Sequence, residues 1–246
     1  LRTGRPGTGR WTDGEALKRQ TLGPEAGEMM AVSQKLVAAF QKIPTGTLSD
    51  AVDQLDLKGF MVGVSPVIEN ARMAGPAVTV RFEHIYRKDY NLAGGEHLLR
   101  AIDESAAGSV IVLGSEVKDL GTWGGLLSTA SKAHGMAGAV LDQAARDVGE
   151  IRDLGFPVFA RSINPSSYVF RLKTVSLNEP IECGGVLVHP GDLVAGDGDG
   201  VVVVPEAKAE EVLKLALEME EGEAKMMAAL RSGRSIVASL EEIGRI

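Results

Sequence analysis

The chain has 246 residues, 44% of them hydrophobic, and its 33 acidic and 26 basic residues give a formal net charge of -7. This length suits one sizeable α/β domain with appendages or at most two small domains. The scattered basic residues form no run that would hold nucleic-acid phosphates. No window approaches the ~20 apolar residues that span a bilayer, and the first residues are polar and glycine-rich rather than signal-like. With Cys183 as the single cysteine no disulfide can form within the chain, and the expectation is a cytoplasmic protein with neither membrane nor nucleic-acid partner.

Residues 1–25 are rich in glycine and proline around Arg2, Arg5, Arg10 and Trp11, and lack helical or strand periodicity. They are expected to form a flexible arm. Helical spacing begins at residues 29–40 (Met30, Val32, Leu36, Val37, Phe40), and Thr47-Leu48-Ser49-Asp50 resembles the capped start of a second helix. Strands are predicted at residues 77–81 and 109–113, with a helix over 96–103 between them. A helix over 126–134 stopped by Gly135, a strand over 138–142, a helix over 146–154 stopped by Gly155 and a strand over 157–160 follow. That alternation implies a parallel layer with covering helices. Short apolar runs between residues 186 and 205, broken by Pro190-Gly191-Asp192 and by the turn 196–200, describe β-hairpins. The turn 196–200 lacks the flanking helices and closing glutamate of a calcium loop. Residues 207–229 form a long amphipathic helix with an acidic face that includes Glu218, Glu220, Glu221 and Glu223.

Chemistry is expected at the carboxyl end of the strand over 138–142, the edge where open α/β sheets hold ligands. Asp142 ends that apolar run, and Arg146-Asp147 follows it. The turn Gly121-Thr122-Trp123-Gly124-Gly125 opens the helix at Leu126, and free N–H groups at a helix start receive carboxylates or phosphates. It has neither the glycine order of a dinucleotide site nor the Lys-Ser/Thr of a P-loop. Each of these three residues also has a plain structural explanation: Asp142 as a cap of the following helix, Asp147 as a partner of its positive end, Arg146 as a counter-ion to either. The functional alternative is favoured because an anion receptor, a guanidinium and two hard oxygen ligands converge on one edge, and such ligands suit Mg²⁺ or Mn²⁺ better than zinc. His84, His97, His134 and His189 have no metal-binding spacing, and Ser128, Thr129 and Ser131 lie in no nucleophile elbow.

The segments Thr47-Leu48-Ser49-Asp50-Ala51, Ala74-Gly75-Pro76-Ala77-Val78, Trp123-Gly124-Gly125-Leu126-Leu127, Gly138-Ala139-Val140-Leu141-Asp142 with Arg146-Asp147, Gly155-Phe156-Pro157 and Pro190-Gly191-Asp192 occur in this order. In combination they resemble the RraA-like family, which contains 4-hydroxy-4-methyl-2-oxoglutarate aldolases that also decarboxylate oxaloacetate, together with regulators of ribonuclease E. The resemblance implies a swivelling β/β/α-type domain over residues 26–206 with a helical tail over 207–246, assembled as a trimer or a dimer of trimers. It also implies that Asp147 holds a divalent metal, that Arg146 contacts a 2-keto acid, and that the backbone of Gly124, Gly125, Leu126 and Leu127 receives the substrate carboxylate. Asp142 has a supporting place, and Glu223 corresponds to a glutamate offered by a neighbouring subunit to the metal's waters.

The sequence departs from the family pattern twice. The aldolases usually carry an acid where Gly125 stands, and the glycine that commonly follows the strand-end aspartate is here Gln143. The expected function is a metal-dependent lyase acting through pyruvate enolate. The alternatives are a regulator that binds a ribonuclease and a related enzyme for a sugar acid or other hydroxy acid.

Overall fold

The computed structural model describes residues 33–87 and 92–243. The expected arm over residues 1–25 and the start of the first expected helix lie outside them. In chain order, α1 (Gln34–Phe40) and α2 (Thr45–Asp53) lead to β1 (Ser65–Pro66) and β2 (Met73–His84). Then come α3 (Glu96–Glu104), β3 (Val110–Ser115), β4 (Gly121–Trp123), α4 (Gly125–Ala133), β5 (Gly138–Ala145), α5 (Val148–Leu154) and β6 (Val158–Ile163). β7 (Leu172–Leu177), β8 (Ile181–Cys183), β9 (Val186–Val188), β10 (Leu193–Asp197) and β11 (Gly200–Val204) precede α6 (Ala209–Arg231) and α7 (Ile236–Ile243).

β6, β5, β3 and β2 lie side by side and parallel, the layer expected from the strand–helix alternation. β3 and β5 are buried along their whole length, which is why they read as apolar runs rather than alternating ones. β2 continues into a second layer, where its first residues pair antiparallel with β10 and β10 pairs with β11. Pro76 has no N–H for a ladder and sits where pairing passes from β10 to β3. Next to it only glycine fits, because a Cβ on Gly75 would lie 2.0 Å from the Gly108 carbonyl oxygen. Phe60 bridges to Val202 of β11, and β1 just beyond it pairs with β6. The two ends of the sheet are thus linked, and the mixed α/β domain nearly closes into a barrel.

Two apolar clusters result. One gathers β2, β3, β5 and β6 with Leu98 and Ile102 of α3, Ile151 of α5, and Trp123. The other packs α1, α2 and α6 on the outer faces of β10 and β11 through Phe40, Leu48, Val202, Val212 and Met219. No described helix is long and apolar enough to cross a membrane.

Several elements differ from the sequence expectation. The second helix begins at Thr45 rather than at a Thr47 cap, because its cap comes from far along the chain. Asp197, in the β10–β11 hairpin, accepts from the Thr45 amide at 2.9 Å and the Thr45 hydroxyl at 2.6 Å. Thr47 lies inside α2 and donates to Glu220 Oε1 of α6 at 2.6 Å. The run at β9 pairs with β8 around Gly184 and Gly185, both at positive φ, instead of with β10. The helical tail carries a second helix, α7, beyond the single amphipathic helix predicted over 207–229.

Burial raises the Asp197 carboxyl, but the Thr45 hydroxyl and amide, the Asp199 amide and nearby Arg72 outweigh it and hold the group below the ordinary aspartate value. A depressed carboxyl stabilises the fold fully above the unfolded value of about 3.9, and loses that contribution as pH falls through its folded value. Asp197→Ala is expected to cost about 1 kcal/mol at neutral pH, as loss of a cap does. In urea denaturation followed by circular dichroism, its gap from the parent protein narrows as the pH is lowered below about 4.

Candidate active site

The site is built by a three-residue strand. Gly121 and Trp123 of β4 pair with Ala144 and Ala145 at the end of β5, and the Arg146 amide donates to the Trp123 carbonyl at 2.9 Å. Residues 121–123 are therefore strand, where a glycine turn was expected, and β5 runs on past Asp142 to Ala145. Trp123 is buried, stacks on Phe156 with ring centroids 6.3 Å apart, and donates from Nε1 to Ser128 Oγ of α4 at 2.8 Å. Loss of such packing costs about 3 to 5 kcal/mol against about 1 for the hydrogen bond, so packing is the main anchor and the bond sets its orientation. Together they hold the turn Gly124-Gly125 beside Arg146-Asp147.

Asp147 has φ 55° and ψ 38°, a left-handed backbone uncommon outside glycine but tolerated by aspartate. The expected helix over 146–154 accordingly starts only at Val148. This reversal lays the Asp147 side chain over the facing turn, with Oδ2 3.3 Å from the Gly125 nitrogen. A Cβ on Gly124 would sit 2.4 Å from that oxygen and 3.1 Å from Arg146 Cγ, so a side chain there would displace both members of the pair. Arg146 donates from Nε to the two Asp147 oxygens at 3.2 and 3.3 Å. Its terminal nitrogens make no hydrogen bond among the described residues. Nor do the amides of Leu126 and Leu127 find an acceptor outside α4 there, so they keep the donors that a helix start leaves free.

Over Gly125 lies the carboxylate of Glu150, which sequence reasoning passed over. Its Oε2 is 1.8 Å from where a Gly125 Cβ would be. The available signal was its position three residues after Asp147.

Asp142 is not part of this arrangement. It is buried in β5, where Arg161 Nε donates to Oδ1 at 2.8 Å and Lys118 Nζ bonds Oδ2. In place of the helix cap or the support for Asp147 drawn from the sequence, Asp142 is the buried centre of an ion triplet with the partly exposed Lys118 and Arg161. Beside it, burial and then the Asp142 charge push the Cys183 thiol far up, so it stays protonated. Glu223 is exposed on α6, a helix packed on α1 and α2. A separate groove of about 700 Å³ at the carboxyl ends of β2 and β3 takes in Arg81, His84 and Lys118, but neither Arg146 nor Asp147. This groove carries polar side chains of its own, among them Glu83, Glu116 and Glu182, but the Arg146-Asp147 pair lies at the Gly124-Gly125 turn.

Among the described residues no group of three or more His, Cys, Asp or Glu side chains could hold a metal. A single oxygen ligand on a water-accessible turn fits Mg²⁺ or Mn²⁺, since Mg²⁺ keeps most of its waters and needs only one or two carboxylates.

The profile of the RraA-like family, described as Aldolase/RraA, matches residues 45–203, well over half of the chain. The chain belongs to the RraA-like family. One relative, from Halalkalibacterium halodurans and named "Putative 4-hydroxy-4-methyl-2-oxoglutarate aldolase", is 34% identical over 211 residues, covering 84% of this chain and 94% of its own. Among solved RraA-like structures, Streptomyces coelicolor RraAS2, titled an unusual member of the RNase ES inhibitor RraA protein family, superposes with a TM-score of 0.73 at 28% identity. That match covers 81% of this chain and 98% of RraAS2. An uncharacterized protein from Pseudomonas syringae gives a TM-score of 0.76 at 28% identity, over 85% of this chain and 98% of that one.

The two aspartates differ in what they do for the fold. Asp142→Ala removes the charge-assisted hydrogen bonds of Lys118 and Arg161, which solvent can partly replace, and is expected to cost about 2 kcal/mol. Asp147→Asn keeps a residue that accepts the left-handed backbone and should cost less than about 1 kcal/mol. Urea denaturation of the two variants measures the contrast.

Proposed function

We propose that this chain is a divalent-cation-dependent lyase that cleaves a carbon–carbon bond of a pyruvate-derived 2-keto acid, as an aldolase, an oxaloacetate decarboxylase or both. The observation that carries this is Arg146, tethered through Nε to Asp147 while its terminal nitrogens have no partner among the described residues, beside the start of α4. A 2-keto acid presents a carboxylate next to a carbonyl oxygen and so needs neighbouring donors. The amides of Leu126 and Leu127 suit the carboxylate, and the planar guanidinium suits the keto oxygen. The name of the Halalkalibacterium halodurans relative favours the aldolase.

Charge dictates the chemistry. In a 4-hydroxy-2-keto acid the C4 hydroxyl gives its proton to water, the C3–C4 bond breaks, and its electron pair moves into the keto group as pyruvate enolate. Arg146 faces that negative charge as it develops, and a preformed donor at this point lowers the barrier most. Loss of carbon dioxide from oxaloacetate leaves the same enolate, so one set of donors serves both reactions. Asp147 keeps the guanidinium in place and offers the oxygen ligand for Mg²⁺ or Mn²⁺, which when bound supplies Lewis-acid polarisation of the keto group. The side chains of Arg146 and Asp147 are 39% and 33% exposed, so solvent can return the proton to C3. In the same proposal the chain assembles as a trimer or a dimer of trimers, and Glu223 serves a neighbouring copy.

The likeness to RraAS2 favours a second function, a regulator acting through surface contacts. The two separate in one experiment, which follows pyruvate release from oxaloacetate and from 4-hydroxy-4-methyl-2-oxoglutarate. Arg146→Gln should lower kcat by about 10² to 10³. EDTA should abolish turnover of the parent protein, with Mg²⁺ or Mn²⁺ restoring it. Turnover that persists in EDTA contradicts the metal-dependent lyase, and absence of turnover on every 2-keto acid tried favours the regulator.

A further inference from the structure

Gly125 leaves open a space that a side chain would fill, and a carboxylate from the next helix fills it. A Cβ on Gly125 would lie 1.8 Å from Glu150 Oε2, 2.8 Å from its Cδ and 3.1 Å from its Cβ. A side chain at 125 and Glu150 in its present position therefore exclude one another. Glu150 reaches the turn because α5 starts directly after Asp147, and residues three apart on a helix share a face.

The pattern Asp147-Val148-Gly149-Glu150 would ordinarily form reciprocal capping bonds, the first acid to an early helix amide and the glutamate back to the amide of the cap. Neither bond is made: Asp147 stands at the cap position without a side-chain cap hydrogen bond. Glu150 has no hydrogen bond or ion pair among the described residues. Both carboxylates lie instead over the turn, Asp147 at Gly124 and Glu150 at Gly125. A stabilising local interaction has been forgone in favour of two carboxylates at the turn, Asp147 paired with Arg146 and Glu150 without a partner among the described residues.

We propose that Glu150 is the acid of this turn, a positioning residue whose carboxylate, set over Gly125, holds the waters of the cation bound by Asp147. This rests on the metal-dependent function proposed above. It assigns to α5 an acidic group that the turn itself lacks, and it gives Gly125 a part, since a side chain there would push the Glu150 carboxylate out of its present place.

The test is a titration of the full chain with Mn²⁺, read by the electron paramagnetic resonance of the free ion, with thermal melts to confirm that each variant folds. The parent protein should bind Mn²⁺ and Asp147→Asn should not. Glu150→Gln, of nearly the same shape, should weaken binding by about tenfold, as loss of a group that orients a metal's ligands does. Glu150→Ala should weaken it similarly, and the double variant Gly125→Asp with Glu150→Ala should recover most of the affinity. Parent-like binding by Glu150→Gln, with Asp147→Asn still inactive in binding, overturns the role of Glu150 and leaves the metal-dependent function standing. Failure of the parent protein to bind Mn²⁺ overturns both.

Discussion

The candidate site depends on the pairing of β4 with the last two residues of β5. These strands come from separate stretches of the chain, and without this ladder the Gly124-Gly125 turn and the Arg146-Asp147 pair would have no fixed relation. Trp123 makes the pairing firm, since its indole is buried against Phe156 while its N–H reaches Ser128. The Arg146 amide bound to the Trp123 carbonyl then fixes where strand pairing ends and the backbone of the candidate site begins. From that point two local conditions complete the geometry: a left-handed residue at Asp147 that folds its carboxylate back, and Gly124, which leaves room for it.

The same constraint separates the carboxylates by role. Asp142 stays within the strand, where the low-polarity interior makes its charge tolerable only with Arg161 and Lys118 against it. Asp147 lies just past the end of the strand, where water and one guanidinium suffice. A few residues along one strand thus turn a structural anion into an available one.

Much of this was legible from the sequence where periodicity or turn chemistry is strong. The parallel layer followed from buried apolar runs alternating with helical spacing, and the acidic turn at residues 196–200 read as a hairpin because strand residues follow it at once. Arg146-Asp147 stood out because its acid follows a buried strand. What stayed hidden depends on contacts between distant residues. β4 is too short to show a period, and its glycines suggest a turn until β5 pairs with it. The cap on α2 comes from Asp197, and the partners of Asp142 come from Lys118 and Arg161, which local patterns do not connect. Gly125 read as a missing acid because a sequence shows which side chain is absent, not which neighbour occupies the space.

In the proposed function the Gly124-Gly125 turn, Arg146 and Asp147 form a divalent-cation site for a 2-keto acid. Anomalous scattering from crystals of the full chain grown with Mn²⁺ locates that cation. A manganese peak is expected at the Asp147 carboxylate, with Glu150 turned toward its waters. A peak at Asp142 or in the groove beside Arg81 and His84, with none at Asp147, would contradict it.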